Sequence, residues 1–241
     1  MELRIFGRGF NYSQDGQGNR LVYHLKGCNM HCPWCSNPEG MSFDGKANAV
    51  TVEALVKEAI RSKPMFFGGG GVTFTGGEAT AQAEALGVAL KMLKENGIDT
   101  AIETNGTYRE LTSLLPYVDH LIIDLKHPDD PTCRAVTGVG CDCTKENIRN
   151  ALSLGKDTLV RIPLINGFNN SPEAKRGFAE FFSSLEGNTL SVEVLKYHEY
   201  GRDKWQKLGL EYKMKDAFVT EDDRRSLEDM LEGIGITVVR T

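Results

Sequence analysis

An α/β fold of the barrel type, built on parallel strands, is the architecture this sequence predicts. Three observations carry the prediction. Strand-like and helix-like segments alternate along most of the 241 residues, and such alternation implies parallel strands joined by right-handed crossovers. The length suits one α/β domain with a sizeable core. Polar, glycine-bearing clusters follow successive strands, where the active-site loops of an α/β barrel lie.

Leu21 to Lys26 reads as a strand that runs into a group of cysteines. Helical spacing from Val52 to Arg61 follows, with Thr51 as N-cap and Glu53 in the first turn. Gly71 to Thr75 is a short strand, and Ala81 to Asn96 a long helix stopped at Gly97. Ile98 to Ile102 is the next strand. Tyr108 to Leu115 is a short helix halted by Pro116, and His120 to Leu125 is strongly strand-like. A helix from Lys145 to Leu154 leads through Gly155 to the strand Thr158 to Ile162. Pro172 to Ser184 is helical and Leu190 to Leu195 a strand. The helix Glu221 to Glu232 precedes a last strand, Ile236 to Val239. Long linkers and low-complexity tracts are absent, so a single domain over residues 1–241 is expected.

Composition is ordinary for a globular protein, at 40% hydrophobic and 25% charged residues. A net charge of -5 argues against a nucleic-acid partner held mainly through phosphates. No apolar run approaches a membrane span, and the N-terminus lacks a signal-peptide core. A cytoplasmic enzyme is therefore expected, whose six cysteines sit in a reducing compartment where a disulfide framework does not form.

Cys28, Cys32 and Cys35 lie in the run Gly27-Cys28-Asn29-Met30-His31-Cys32-Pro33-Trp34-Cys35, and no cysteine follows until Cys133. A tight loop with this spacing can turn three thiolates toward one centre. Soft thiolates suit an iron–sulfur cluster, and a site one ligand short leaves one iron open for a small molecule. A structural zinc site is normally closed by four ligands; His24 or His31 could supply the fourth.

Further clusters follow the later strands: Thr75-Gly76-Gly77-Glu78, Glu103-Thr104-Asn105-Gly106, Asp124-Leu125-Lys126-His127, Arg161, and Tyr197-His198-Glu199. Adjacent glycines let backbone approach a ligand closely, but Gly76-Gly77-Glu78 could equally be a turn capping a helix. Glu103 could be a solvated strand end, Asp124 and Lys126 an outward charge pair, Arg161 a rim salt bridge, and His198 a surface histidine. Their order behind the cysteine loop favours a shared site. Cys133, Cys141 and Cys143 read as free thiols, a second metal site being the sharper alternative.

The cysteine spacing resembles the signature of radical S-adenosylmethionine (SAM) enzymes. Residues 15–20, 25–28, 34–39, 70–82, 103–106, 124–127 and 196–209 extend the match to the glycyl radical enzyme activating enzymes. The resemblance covers nearly the whole chain and implies an incomplete (β/α)6 barrel, open on one side to admit a protein loop. It implies a [4Fe-4S] cluster on Cys28, Cys32 and Cys35 that cleaves SAM reductively to a 5′-deoxyadenosyl radical. That radical would take an α-hydrogen from a glycine of a partner glycyl radical enzyme. By the same resemblance Trp34 lies near the adenine, and Gly76, Gly77 and Glu78 hold the methionyl amino group. Glu103, Lys126, Arg161 and His198 line the ribose and carboxylate. A monovalent cation would sit near Glu103, Thr104 and Asp124, although Glu103 stands where many relatives have aspartate. About fifteen residues separate Glu39 from the first helix, too few for the inserted ferredoxin-like domain that many relatives carry. The chain resembles the short form; the resemblance implies a cluster reduced by flavodoxin or a similar donor, and a monomer is the simplest expectation. Two alternatives remain at this level: a radical enzyme acting on a small molecule or peptide, and a non-catalytic iron–sulfur or zinc protein.

Overall fold

The structure, a computed structural model, describes residues 1–187 and 189–240; Asn188 and Thr241, within the expected 1–241 range, lie outside them. The chain divides into two compact units. One comprises residues 1–29, 37–104 and 108–122; the other comprises 30–36, 105–107 and the chain from Ile123 onward.

The first unit holds β1 (Glu2–Tyr12), β2 (Asn19–Leu25), β3 (Asn48–Thr51), α1 (Val52–Ser62), β4 (Val72–Gly76), α2 (Ala83–Glu95), β5 (Thr100–Thr104) and α3 (Leu111–Leu114). Strand β1 lies between β2 and β3, antiparallel to both, while β2, β4 and β5 run parallel. Six of the seven residues of β2 are buried, as expected of a strand covered on both faces. Within it, the fully buried Arg20 donates from Nε to Thr73 Oγ1 at 2.7 Å and pairs with Asp99 at 2.8 Å. The cap expected at Thr51 is present: its hydroxyl accepts from Ala54 N at 3.2 Å. Helix α1 buries Val52, Leu55, Val56 and Ala59, one stripe at helical spacing.

Several boundaries differ from the sequence expectation. The strand expected from Ile98 begins at Thr100, because Asp99 O accepts from Val72 N at 2.9 Å and its carboxylate is committed to Arg20. Only Leu111–Leu114 of the helix expected over 108–115 is α-helical. Pro116 sits in the first turn of the following 3-10 segment, Leu115–Tyr117, where its missing N–H costs nothing. Strands β1 and β3 were not expected.

Strand β6 (His120–Asp124) is common to both units. It is followed by α4 (Asp130–Thr137), α5 (Asp142–Ser153), β7 (Asp157–Leu164), α6 (Pro172–Ser183), β8 (Leu190–Lys196), α7 (Arg202–Lys207), α8 (Glu221–Gly233) and β9 (Thr237–Val238). β7, β8 and β9 are parallel, with Arg161 opposite Glu193. Phe178 and Phe182 of α6 and Leu227 and Leu231 of α8 are buried with Val192 and Val194 of β8. Helices α4 and α7 are additions to the expected set, and α5 begins three residues earlier than Lys145. The strand order is β3-β1-β2-β4-β5-β6-β7-β8-β9, so among the described residues the mostly parallel sheet is open, with β3 and β9 as its edges.

Candidate functional site

In the first unit, β2 delivers Lys26, Gly27 and Cys28. Gly27 adopts φ +100°, and Gly27 N and Cys28 N donate to Gly40 O and Met41 O at 2.8 and 2.9 Å. The backbone ahead of the first cysteine is thus clipped to the short 3-10 turn Pro38–Gly40. From β4 comes a second clip: Gly77 N donates to Leu25 O at 2.8 Å and Glu78 N to Gly27 O at 2.7 Å. A Cβ at Gly76 would meet Leu25 N at 2.4 Å. One at Gly77 would meet Gly27 O at 2.4 Å and Gly40 O at 2.5 Å. These glycines are required by close packing of backbone against the cysteine-bearing segment, a reason the sequence alone did not reveal.

The second and third clusters are joined. Glu78, 1% exposed, accepts at one carboxylate oxygen from Thr80 N (2.8 Å), Thr80 Oγ1 (2.6 Å) and Thr104 Oγ1 (2.6 Å). Glu103, half-buried, accepts from Thr75 Oγ1 at 2.7 Å. Tyr108 was missed by the sequence reading. Burial pushes its phenol pKa up, and the charges of Glu78 and Cys28 push it further. A lone tyrosine in a polar loop gave no signal.

The second unit carries the remaining cysteines. Cys32 is buried and Cys35 half-buried, and Cys35 N donates to Cys32 O at 3.1 Å. The segment is held at one end by His31 N donating to Thr137 O at 2.7 Å. At the other, Trp205 Nε1 of α7 donates to Cys35 O at 2.9 Å. Gly201 packs so closely that a Cβ there would lie 2.2 Å from Cys35 O. Trp205 was also missed, its tryptophan in a charged stretch being the only cue.

Trp34 packs on Phe168 (ring centroids 4.8 Å apart), which packs on His127 (5.1 Å). Asp124 and Lys126 form an ion pair at 2.9 Å. Arg161 Nε donates to Glu193 Oε2 at 2.9 Å, with only 8% and 3% of the two side chains exposed. The rim salt bridge weighed for Arg161 is therefore a buried cross-strand pair. Its partner Glu193 was readable only as an acid among alternating valines. His198 stacks on Tyr200 at 4.0 Å, and burial lowers its pKa.

An open, mostly parallel sheet with thiols and polar groups on the segments after its strands fits an α/β enzyme with a soft-metal centre. The chain belongs to the radical SAM superfamily, whose model matches residues 22–175, and within it to the family of pyruvate formate-lyase-activating enzymes. It is 35% identical over 225 residues to the pyruvate formate-lyase-activating enzyme of Clostridium pasteurianum, covering 90% of this chain and 94% of that one. Identity to the enzyme of that name from Staphylococcus aureus (strain USA300) is 31% over 218 residues, covering 87% and 86%. Among solved structures, a domain of pyruvate-formate lyase-activating enzyme from Bacteroides vulgatus superposes with TM-score 0.59 at 26% identity. That match covers 71% of this chain and 98% of that one. QueE from Escherichia coli shares the fold, with TM-score 0.61 at 15% identity over 99% and 93% of the two chains. The protein is thus a radical SAM enzyme, and its cofactors are a [4Fe-4S] cluster and S-adenosylmethionine. Among the described residues no helix is long and apolar enough to cross a membrane.

Proposed function

We propose that this chain activates a glycyl radical enzyme, with Cys28, Cys32 and Cys35 as the cluster ligands. The observation that carries the residue assignment is the bracing of each stretch of the cysteine segment within its own unit: Gly40, Met41 and Glu78 bond Gly27-Cys28 in the first, and Thr137 and Trp205 bond His31 and Cys35 in the second. Three soft thiols on eight residues fit an iron–sulfur cluster with one open iron. When bound, cluster and SAM together supply a carbon-centred radical able to take a hydrogen atom from a glycine of the partner.

The chain's own residues bind and orient. Gly76, Gly77 and Glu78 receive the methionyl amino group, Glu78 being the buried acid that an ammonium would meet. Trp34, backed by Phe168, offers an aromatic face for the adenine. Glu103, Lys126, Arg161 and His198 take the ribose and carboxylate, and the Glu193 carboxylate orients Arg161. Glu103, Thr104 and Asp124 would hold a monovalent cation. Flavodoxin or a similar one-electron donor, a monomeric state and a cytoplasmic location complete the reading. The stretch between the 3-10 turn and α1 contains only turns and β3, which supports one radical SAM domain over 1–241 without an inserted ferredoxin-like domain.

The test is 5′-deoxyadenosine formation by anaerobically reconstituted, reduced protein, beside the Cys28/Cys32/Cys35→Ala triple variant. Candidate glycyl radical enzymes are then added and the glycyl radical is read by electron paramagnetic resonance. Wild-type product absent from the variant, with a radical on one partner, is expected. Cluster binding and cleavage that survive all three substitutions would refute the ligand assignment.

A further inference from the structure

Cys133 and Cys141 take no part in the site above, and both are buried, at 0% and 1% exposure. Cys133 lies on α4, and Cys141 is the residue immediately before α5. Asp130 shares a face of α4 with Cys133 at i, i+3. Its Oδ1 accepts from Asp142 N at 3.0 Å, and a Cβ on Gly140 would lie 1.9 Å from that same oxygen. The turn before α5 is therefore folded directly onto the first turn of α4. There Cys141 Sγ lies within 4.8 Å of an Asp130 carboxylate oxygen, on the face of α4 that carries Cys133 one turn further on, and Cys133 Sγ lies 3.8 Å from Thr137 Oγ1. The neighbouring Cys141 thiol pulls the Cys133 thiol down in spite of burial, the direction that favours the thiolate.

A cation is a poorer fit than a disulfide. Asp130, Cys141 and Asp142 bring ligand atoms within 4.8 Å of one another. The Asp130 carboxylate, however, is already committed at one oxygen to the α5 N-terminus and at the other to Arg134 at 3.1 Å.

We propose that Cys133 and Cys141 are a redox dithiol, closed to a disulfide by a small peroxide and reopened by thiol reductants. Cys133 Sγ attacks one peroxide oxygen, the O–O bond breaks, and a sulfenic acid and one water result. Cys141 Sγ then displaces the sulfenic oxygen as a second water and forms the S–S bond. The peroxide gains two electrons, and the two thiols lose them together with their protons. Burial restricts the oxidant to a molecule of that size. The stapled turn carries Thr137 O, the acceptor for His31 N, so closure stiffens the anchor of the segment that bears Cys32 and Cys35.

The test treats anaerobically reconstituted holoenzyme with hydrogen peroxide, alkylates it in denaturant and maps the peptides by mass. Expected is a cross-link between the Cys133 and Cys141 peptides, with loss of two hydrogens and of two alkylated thiols, reversed by dithiothreitol, while Cys143 stays alkylated. In Cys141→Ser, dimedone should instead trap Cys133 as its sulfenic acid. Hydrogen exchange over residues 30–36 should slow on oxidation in the wild type but not in the equally treated Cys133→Ser/Cys141→Ser variant. Full alkylation of both cysteines after peroxide, or pairing of Cys141 with Cys143, would overturn the disulfide. Equal exchange in the two proteins would overturn its reach to the cysteine segment.

Discussion

A methyl group at Gly77 has no room: both Gly27 O and Gly40 O lie within 2.5 Å of its position. Gly77→Ala should push residues 27–28 out of place, at a cost of about 1–3 kcal/mol. Iron bound on anaerobic reconstitution should fall well below wild type, as an iron assay would show. Arg161 and Glu193 form a second residue-scale constraint. Truncating the charge with Glu193→Gln strands a buried guanidinium, and unfolding in urea should register a loss of about 3–5 kcal/mol. His127 sets a pH dependence. Burial pushes its pKa down, and its Nδ1 lies 2.9 Å from Asp129 N. Because the folded pKa lies below the unfolded one, the unfolded chain binds more protons between the two values. Stability is therefore fully present above about pH 6.5 and falls as pH drops through the folded pKa. His198, lowered by burial in the same way, acts with the same sign. Denaturation at a series of pH values should give a shallower acid slope for His127→Gln than for wild type.

At the scale of elements, α1 tests the cap. Thr51→Ala removes the acceptor for Ala54 N and should cost about 1 kcal/mol in thermal or chemical unfolding. Helix α7 acts at a distance in sequence, since its Trp205 holds Cys35 O. Trp205→Phe should keep the fold but speed loss of the cluster's visible absorbance in air. What the sequence disclosed follows the same division. Helix α1 was legible because its cap and its apolar stripe agree, and β2, β4, β7 and β8 because they are short runs rich in β-branched, aromatic and leucine residues. Strand β1 was not, since Gly7 and Gly9 interrupt its alternation and its register shifts between Ile5 and Gly7. Helix α4 hid behind Pro131, which is tolerated in a first turn, and α7 is only six residues of charged sequence. The cysteine motif and the polar groups after each strand were readable as types at positions. The partners that fix them, Glu193, Trp205 and Tyr108, come from distant segments and leave no local pattern.

At the scale of the molecule, the family assignment sets the metal content, and the proposed Cys133–Cys141 dithiol leaves it unchanged. Reconstituted protein should hold about four irons per chain, one cluster, and the Cys133→Ser/Cys141→Ser variant the same number. A value near twice that would place a second cluster on the three later cysteines. The two compact units are also interleaved along the chain, which passes between them after Asn29, Ser36, Thr104, Thr107 and Ile122. The acceptor for His31 N is residue 137, and the donor to Cys35 O is residue 205. During translation the cysteine segment emerges early, yet the groups that shape its second half are made more than a hundred residues later. Metal loaded onto the nascent chain would meet an unshaped loop. A cluster held by these cysteines would therefore assemble on the finished chain, after Trp205 has left the ribosome and docked.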